Sequence, residues 1–464
     1  VMIRRFLPPL CALSMLTSIG SVSAEPPVRN VLLIVSDDLK ASVLGCYGDD
    51  MCDTPNIDRL AAGGMVFERA YCQGTVCGPS RTSFMHSRYF RDKGVTLGET
   101  LISSEFHSAR VGKIFHMRVP GDIIAGTNGD DVEACWSERY NSPGQEAHTP
   151  GDYACLNLNI FTTELGGRES TKMPNRMFVT VQYDGDGFDQ PDWKSATKSV
   201  ELLQKFAKDE KPFFLATGFV RPHYPNVAPR PYFDRYPHKQ ITLPEVPEGD
   251  LADMPKAGIS GSNSARNGFD NYPENQQRMW AGYYATVTMM DEQVGRMLDE
   301  LERLGLREST AVVFTSDHGY HLGEHTFWQK ANLHEEVTRV PLIVSVPGMK
   351  AGRSSSIVEL MDIYPTVCEL TGVEIPETVQ GKSLVPVLKD PSVEVKEAAL
   401  SIVKDGHSLR SSRWAYMGYK DGSEELYDMD GDPGQFTNLA GKPEHEAVLA
   451  EWRGKLAARL AAVR

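Results

Sequence analysis

The sequence predicts an α/β fold: a large mixed sheet sandwiched by helices, with a smaller C-terminal α+β subdomain that contains a short antiparallel sheet and a terminal helix. Short apolar runs alternate with stretches of helical period along most of the chain, which is typical of a sheet covered on both faces. Near Pro391 the pattern changes to short strand-like segments between Gly and Asp turns. Because the chain has 464 residues and single cores tend to divide beyond about 300, we expect one large domain and one small one.

The individual elements are predicted from local patterns. Apolar runs predict buried strands at 31–35, 177–182, 213–218, 311–315 and 342–346. Helical spacing predicts helices at 195–208 and 280–304. The segment 225–275 is rich in Pro, Gly and Asn and is predicted to be a long loop over one face. In the tail, strands are expected at 414–419 and 425–427 and a helix at 445–462.

The N-terminal segment has the pattern of a secretory signal. Arg4-Arg5 precede an apolar stretch from Phe6 to Ile19, and small residues end at Ala24. The predicted division is a signal peptide over 1–24, a large domain over 25–390 and a C-terminal subdomain over 391–464. No later stretch approaches the roughly 20 apolar residues that cross a bilayer. The protein is therefore expected to be secreted or periplasmic, with no membrane contact after signal cleavage.

The charge balance restricts the partners. The formal net charge is −14 at pH 7, and so acidic a surface disfavours nucleic acid, whose binding depends on basic patches. If the substrate is a polyanion, a local basic pocket must bind it against the field of the whole protein.

The cysteine content also carries information. Seven of the eight cysteines follow the predicted cleavage site, and an odd number in an exported protein leaves at least one free or special. Cys135 and Cys155 bracket a polar stretch with Pro and Gly, which makes them the best disulfide candidates in an oxidising compartment. Cys46 and Cys52 are a second candidate pair.

Polar clusters follow three of the predicted strands. The strand at 31–35 leads into Asp37-Asp38, the strand at 213–218 into Arg221-Pro222-His223, and the strand at 311–315 into Asp317-His318. Ligands of open α/β sheets gather outside the carboxyl ends of the strands, so we expect these clusters to meet in one crevice. Three carboxylates and an imidazole suit a divalent cation such as Ca²⁺, although the imidazole also suits Zn²⁺ or Mn²⁺. Helix caps or solvated turns are the alternative interpretation.

The pentapeptide Cys77-Gly78-Pro79-Ser80-Arg81 resembles the signature of the sulfatase family, which belongs to the alkaline phosphatase superfamily. The resemblance implies that a formylglycine-generating enzyme oxidises Cys77 to formylglycine, whose hydrated aldehyde supplies the attacking oxygen. The second hydroxyl then expels sulfate as the aldehyde re-forms. The family pattern usually continues toward Leu-Thr-Gly, whereas this chain has Met85-His86-Ser87. The alternatives are that Cys77 pairs with Cys72 or is a buried thiol.

The resemblance also implies roles for the other clustered residues. A divalent cation, Ca²⁺, is expected to be held by Asp37, Asp38, Cys77, Asp317 and His318. Asn is commoner in the wider family at the position of His318. The expected catalytic residues are Cys77, Arg81, Lys113, His116, His223 and Lys330. Fixed cations would hold the sulfate and a histidine would protonate the departing alcohol, whereas each of these residues alone could be a surface lysine or a structural histidine.

Several longer motifs look like the iduronate-2-sulfatase branch of the family. They are Asp37-Asp38-Leu39, Leu44-Gly45-Cys46-Tyr47-Gly48, Gly112-Lys113-Ile114-Phe115-His116, Asp317-His318-Gly319 and Leu322-Gly323-Glu324-His325. The resemblance implies an enzyme that releases sulfate from sulfated carbohydrate, with a 2-O-sulfated uronic acid or a related algal or glycosaminoglycan unit as substrate. A phosphonate or phosphodiester hydrolase of the same superfamily is one alternative. A non-catalytic polysaccharide-binding protein with Cys72 bonded to Cys77 is the other.

Four residues of the tail are also candidates for contact with the sugar. They precede the predicted strand at 425–427 and are His407, Arg410, Arg413 and Trp414. A salt-bridged surface is the alternative interpretation of this group.

Overall fold

The computed structural model describes residues 1–2, 28–89, 94–168, 177–209 and 211–463. The predicted signal peptide lies outside the described residues except for its first two positions. Within the part of the chain that is described, no helix is both long enough and apolar enough to cross a membrane.

The chain alternates between strands and helices. The strands are β1 (Asn30–Asp37), β2 (Met65–Tyr71), β3 (His107–Gly112), β4 (Glu138–Tyr140), β5 (Asp152–Cys155), β6 (Ile160–Thr162), β7 (Val179–Tyr183), β8 (Phe213–Pro222), β9 (Asn226–Pro229), β10 (Thr310–Ser316), β11 (His321–Leu322), β12 (Trp328–Gln329), β13 (Arg339–Ser345), β14 (Gly352–Glu359), β15 (Ala398–Val403), β16 (Gly406–Ser411), β17 (Trp414–Tyr419) and β18 (Glu424–Asp428). The α-helices are α1 (Pro55–Ala62), α2 (Cys77–His86), α3 (Leu97–Ser103), α4 (Gly121–Ala125), α5 (Pro191–Phe206), α6 (Arg230–Asp234), α7 (Ser264–Asn267), α8 (Glu274–Arg303), α9 (Glu335–Thr338), α10 (Ile363–Thr371), α11 (Val385–Lys389) and α12 (Glu446–Val463).

A mixed eight-stranded sheet forms the centre, in the order β14-β2-β13-β10-β1-β8-β3-β4. Strand β1 runs parallel to both neighbours, β8 and β10, while β13 is antiparallel to β10 and β2. Alternate residues of β1 point to opposite faces: Leu32 and Ile34 pack in the core that includes α5 and α8, and Val31 and Leu33 in the core that includes α2 and α10. The predicted fold class, a large mixed sheet between helices, is confirmed.

The strand predicted at 177–182 is present but does not join the central sheet. It forms β7, which belongs to a separate four-stranded sheet in the order β6-β5-β7-β9. Its apolar residues Val179 and Val181 are buried in a small cluster of this side sheet. The apolar pattern predicts burial but does not specify which strand pairs with which. The segment 225–275 is not only loop, since β9, α6 and α7 lie within it.

The C-terminal region forms an antiparallel sheet in the order β15-β16-β17-β18, with α12 packed on it. This agrees with the predicted short sheet and terminal helix. Strand β17 has the expected bounds, and β18 and α12 differ from the predicted segments by one residue at each end. The domain boundary at 390–391 stays a prediction.

The two proposed disulfides are wrong. Cys135 packs against Gly98 of α3 in the core on one face of the central sheet, whereas Cys155 ends β5 in the cluster of the side sheet. Cys46 donates its backbone N–H to Asp58, while the Cys52 thiol lies in the core beside α8. Neither pair is joined in the structure, and Cys135 and Cys155 pack in different clusters.

A buried ion cluster links the segment before β15 to the central sheet. The Lys396 ammonium contacts the carboxylates of Glu359, the last residue of β14, and of Asp362. All three side chains are buried, and Glu359 also accepts the backbone N–H of Leu400 in β15 at 2.7 Å. The lysine therefore bridges two carboxylates at the junction with the C-terminal sheet.

We expect Lys396→Ala to lower the free energy of unfolding by about 3–5 kcal/mol, because Asp362 loses its cation and Glu359 keeps only the longer contact to Arg459 at 3.6 Å. The matched control is Lys455→Ala, which removes a partly exposed lysine that pairs with Glu397 and Glu451 and should cost less than about 1 kcal/mol. Urea unfolding followed by tryptophan fluorescence measures both. Equal effects of the two substitutions would contradict the prediction.

Candidate active site

The acidic clusters lie together because their strands are adjacent in the sheet. Ser36 of β1 is level with Ser316 of β10, so Asp37 and Asp38 lie beside Asp317 and His318. On the other side of β1, an irregularity in the pairing brings Pro222 of β8 level with Asp37. His223 follows at once. The three polar clusters therefore meet at the carboxyl ends of β1, β8 and β10, as expected.

Cys77 is the first residue of α2 and is buried beside these clusters. Its Sγ lies 3.0 Å from the Lys330 ammonium, 3.4 Å from His318 Nε2 and 3.9 Å from Asp38 Oδ1. Burial and the charge of Asp37 act to raise the pKa of the thiol, but Lys330 and Lys113 outweigh them, so its pKa is lowered. The alternative bond to Cys72 is absent: the Cys72 thiol faces the backbone carbonyl of Val337 at 3.6 Å.

Arg81 follows Cys77 by one helical turn and is fully buried. Its guanidinium donates to Asp317 Oδ2 at 2.8 Å, to Asp37 Oδ1 at 3.1 Å and to the Ile114 carbonyl at 3.0 Å. Lys113, the residue after β3, adds an ammonium contact to Asp37. Three strand ends are thus tied to one side chain of α2.

Lys330 reaches the thiol from the segment after β12. The residues on either side, Gln329 and Ala331, have φ of 70° and 71°, a left-handed conformation that is uncommon outside glycine. The Ala331 N–H donates to the Thr75 carbonyl at 3.1 Å, two residues before α2. This bond fixes the lysine segment to the segment that carries Cys77.

The donor set fits a divalent cation. Asp37, Cys77, Asp317 and His318 each offer a ligand atom, and these atoms all lie within 4.8 Å of one another. Asp38 Oδ2 is buried and accepts no hydrogen bond from the described residues, and burial raises the pKa of Asp38 to about 7. His318 Nδ1 lies 2.9 Å from the Gly319 carbonyl, which leaves Nε2 toward the cluster.

The electrostatics of His318 support this fit. Burial acts to lower the pKa of its imidazole, but Asp317 and Cys77 outweigh burial and raise the pKa to about 9. The negative charges of the cluster thus favour a positive charge at this place. The group could hold a metal, and its oxygen-rich donors suit a hard cation.

The two candidate proton donors contact different residues near the thiol. His223 Nε2 is 3.8 Å from Asp38 Oδ2, while its Nδ1 is 2.6 Å from the Tyr224 carbonyl. His116 lies against Gly78, the residue after Cys77. Burial, together with Lys330 for His223 and Lys113 for His116, lowers the pKa of both imidazoles.

Some supporting residues were missed in the sequence. The Tyr283 hydroxyl of α8 donates to the Asp38 carbonyl and accepts the Lys40 N–H at 3.0 Å, which fixes Asp38 at its left-handed φ of 65°. Buried Glu146 pairs with Arg221 through both carboxylate oxygens at 3.1 and 3.2 Å. Tyr283 lies inside a predicted amphipathic helix and Glu146 inside a polar loop, so neither carries a sequence signal of a site.

The tail residues proposed to reach the sugar are held in other contacts. Arg410 donates to Glu335 at 2.8 Å, and Arg413 pairs with Asp428 at 2.7 Å and lies over the ring of Trp414. These ion pairs favour the alternative interpretation, a salt-bridged surface, for the two arginines.

Known proteins share this architecture along nearly the whole chain. The structure of the phosphonate monoester hydrolase of Agrobacterium radiobacter is similar, with a TM-score of 0.75 at 21% identity, covering 94% of this chain and 96% of that one. A sulfatase of Formosa agariphila is 30% identical over 453 residues, which cover 90% of this chain and 84% of the relative. Human iduronate 2-sulfatase is 32% identical over 403 residues, covering 75% of this chain and 70% of the human protein.

The central mixed sheet and C-terminal antiparallel sheet define an α/β protein of the alkaline phosphatase-like fold. The model of the sulfatase family matches residues 29–118 and 130–373, and a model described as N-sulphoglucosamine sulphohydrolase, C-terminal, matches 323–462. The chain therefore belongs to the sulfatase family. It is a hydrolase of sulfuric esters.

We expect Ca²⁺ to raise the thermal unfolding midpoint of chelator-treated protein, because a ligand that binds only the folded state stabilises it, by about 2.7 kcal/mol at a hundredfold excess over Kd. Asp38→Asn and Asp317→Asn should lose most of this shift, whereas Asp299→Asn, on the exposed surface of α8, should keep it. Differential scanning fluorimetry provides the measurement. No shift with Ca²⁺, Mg²⁺, Mn²⁺ or Zn²⁺ would show that the cluster is not a cation site.

Proposed function

We propose that the protein is a formylglycine-dependent sulfatase that removes sulfate from a 2-O-sulfated uronic acid, or a related algal or glycosaminoglycan unit, of a sulfated carbohydrate. The observation that carries the proposal is the position of Cys77. Its sulfur lies 3.0 Å from the Lys330 ammonium and 3.9 Å from the Asp38 carboxylate, where a nucleophile would need charge stabilisation on one side and a cation site on the other. Family membership supplies the reaction class.

Maturation requires a second protein in this proposal. A formylglycine-generating enzyme would act on Cys77 within Cys77-Gly78-Pro79-Ser80-Arg81. Because Cys77 and Arg81 are buried in the folded chain, conversion would have to precede folding of this region. The proposal divides the chain into a signal peptide over 1–24, a catalytic domain over 25–390 and a C-terminal subdomain over 391–464. It also includes a secreted or periplasmic location.

The proposed cofactor is one Ca²⁺ ion held by Asp37, Asp38, Asp317, His318 and the modified residue 77. A bound divalent cation would act as a Lewis acid on the sulfate ester and lower the pKa of the attacking oxygen. The carboxylate-rich donor set favours calcium.

The remaining side chains have distinct tasks in this proposal. Lys113 and Lys330 neutralise the sulfate oxygens, whose charge persists as the ester bond breaks. Arg81 holds Asp37 and Asp317 at their separation through charged hydrogen bonds. His223 or His116 gives a proton to the departing sugar oxygen. Fixed lysines near the thiol also supply the local positive charge that a polyanionic substrate requires in a protein of net charge −14.

The substrate class rests on the similarity to human iduronate 2-sulfatase and on the motifs shared with that branch. Pocket walls built by loops vary on one scaffold, so algal glycans with the same sulfated uronic acid are included. The protein should release sulfate from 2-O-sulfated uronic acid units in a panel of defined oligosaccharides, detected by ion chromatography. Release only from units sulfated at other positions would contradict the substrate assignment and leave the reaction intact.

A phosphonate monoester hydrolase shares the fold, so the competing activity needs a direct measurement. We expect kcat/KM for an aryl sulfate to exceed that for the matching aryl phosphonate and aryl phosphodiester. The opposite order would favour the competing activity. No turnover of any of the three by matured protein would favour a non-catalytic polysaccharide-binding protein.

Cys77→Ala should abolish turnover and leave the thermal unfolding midpoint nearly unchanged, because the nucleophile is lost while the small side chain is still accommodated. The matched control is Cys72→Ala, a buried thiol five residues earlier that should retain activity. Mass spectrometry of protein matured in a competent host should find an aldehyde on the peptide of residue 77 and an intact thiol at Cys72. An active Cys77→Ala protein, or an unmodified Cys77, would refute the mechanism.

The proton donor can be identified by varying the leaving group. An acid is needed most when the departing oxygen is basic, so loss of the true donor should reduce kcat for a sugar sulfate by about 10²–10⁴-fold. Turnover of nitrophenyl sulfate, whose leaving group is acidic, should fall much less. Steady-state kinetics of His223→Ala and His116→Ala on both substrates decides between the two histidines. Equal losses on both substrates would show that neither acts as the acid.

A further inference from the structure

A cavity of about 680 Å³ lies beside the side sheet, away from the thiol. This volume is within the range of ligand pockets, about 300–1,000 Å³. The strand register places Asp152, Ala154, Phe161, Thr180 and Gln182 on one face of the sheet, and these residues form one wall. The opposite wall comes from α8 and from α6 with the turn after it.

Arg278 of α8 lines this cavity and has an unusual environment for an arginine. Its Nε is buried and makes no hydrogen bond to the described residues. Arg278 also forms no ion pair with the described residues. Its guanidinium lies 5.8 Å from the centre of the Phe161 ring. Two carboxylates also line the cavity: Asp152 already pairs with Arg230 at 3.0 Å, and Asp234 is exposed at the end of α6. In an acidic protein, a guanidinium without a carboxylate is a site for an external anion.

The other lining groups suit a sugar. Phe161 is 53% exposed, so its ring offers an apolar platform to the face of a pyranose. Thr163, Thr180 and Gln182 also line the cavity, and residues of these types can form hydrogen bonds to sugar hydroxyls. An apolar platform, neutral polar groups and a cation that has no ion pair among the described residues together match an anionic sugar unit.

The cavity is separate from the candidate active site but connected to it by a strand. None of its lining residues belongs to the metal, sulfate or proton-donor sets. Strand β9 starts at Asn226, three residues after His223, and pairs along β7, which carries Thr180 and Gln182. A segment that begins at the candidate proton donor therefore ends beside the cavity.

We propose that this cavity is a second glycan subsite, which binds an anionic sugar unit of the polysaccharide through Arg278 and Phe161. The inference rests on the proposed function, because it takes a sulfated carbohydrate to be the substrate. Arg278 binds the sulfate or carboxylate of the unit, and Phe161 contacts its ring. The subsite holds the polymer at a point other than the ester that is cut.

Binding is measured by isothermal titration calorimetry of full-length Cys77→Ala protein with a heparin-derived tetrasaccharide. Adding Arg278→Ala should weaken binding at this subsite by about tenfold, the effect of losing one charged hydrogen bond. Adding Phe161→Ala, which removes the exposed ring, should also weaken binding. This second variant tests the subsite if the arginine variant does not fold. The control is Arg303→Ala on the same helix, an arginine that pairs with Glu300 and lies outside the cavity.

The outcomes separate the subsite from the proposed function. The subsite is overturned if the Arg278→Ala and Phe161→Ala proteins bind as tightly as the Arg303→Ala protein. It is also overturned if none of these proteins binds the tetrasaccharide. A fully desulfated tetrasaccharide that keeps its uronate carboxylates identifies the anion that Arg278 binds. If binding is lost, the anion is the sulfate; if binding is retained and still depends on Arg278, the anion is the carboxylate. Both results support the subsite. Absent aryl sulfate turnover by the matured protein, with Arg278-dependent binding intact, would refute the proposed function alone.

Discussion

The buried guanidinium of Arg81 is the interaction on which the site depends. The carboxylates of Asp37 and Asp317 leave water at the ends of two parallel strands, and without compensation their mutual repulsion and lost hydration would separate the strands. Arg81 donates to both within 3.1 Å and also to the backbone after β3. A buried charge group of this kind is stable only when every partner is present. The helix that carries Cys77 is therefore fixed to the sheet by the same charges that form the cation cluster.

Much of the fold and site could be predicted from local sequence. Asp37-Asp38 and Asp317-His318 each follow an apolar run, and the rule that ligands gather at the carboxyl ends of strands was enough to place them together. Strand pairing could not be predicted, because the apolar pattern of 177–182 specifies burial and leaves the partner open. The prediction of a disulfide between Cys135 and Cys155 was wrong for the same reason, since spacing along the chain does not determine in which core a side chain is buried.

The supporting residues Tyr283 and Glu146 could not be predicted from the sequence for a different physical reason. Tyr283 acts on Asp38 through its hydroxyl. Glu146 holds Arg221, which donates to the His223 carbonyl at 3.3 Å. Tyr283 and Glu146 thus each make a contact over more than seventy positions of sequence. Their local patterns are those of an ordinary helix and loop. Sequence motifs identify residues that touch the reacting groups, whereas residues that orient them become visible only after the chain has folded.

The left-handed residues on both sides of Lys330 affect how the protein can evolve. Gln329 and Ala331 each adopt a conformation that costs an L-amino acid about 1–2 kcal/mol, and a further such residue is Asp38. Substitutions that relax these backbone conformations would stabilise the protein, so selection for heat resistance would favour them. Each gain would also move an ammonium or a carboxylate away from residue 77. In a hot-adapted lineage these three positions should therefore stay strained, and added durability should come from elsewhere in the molecule.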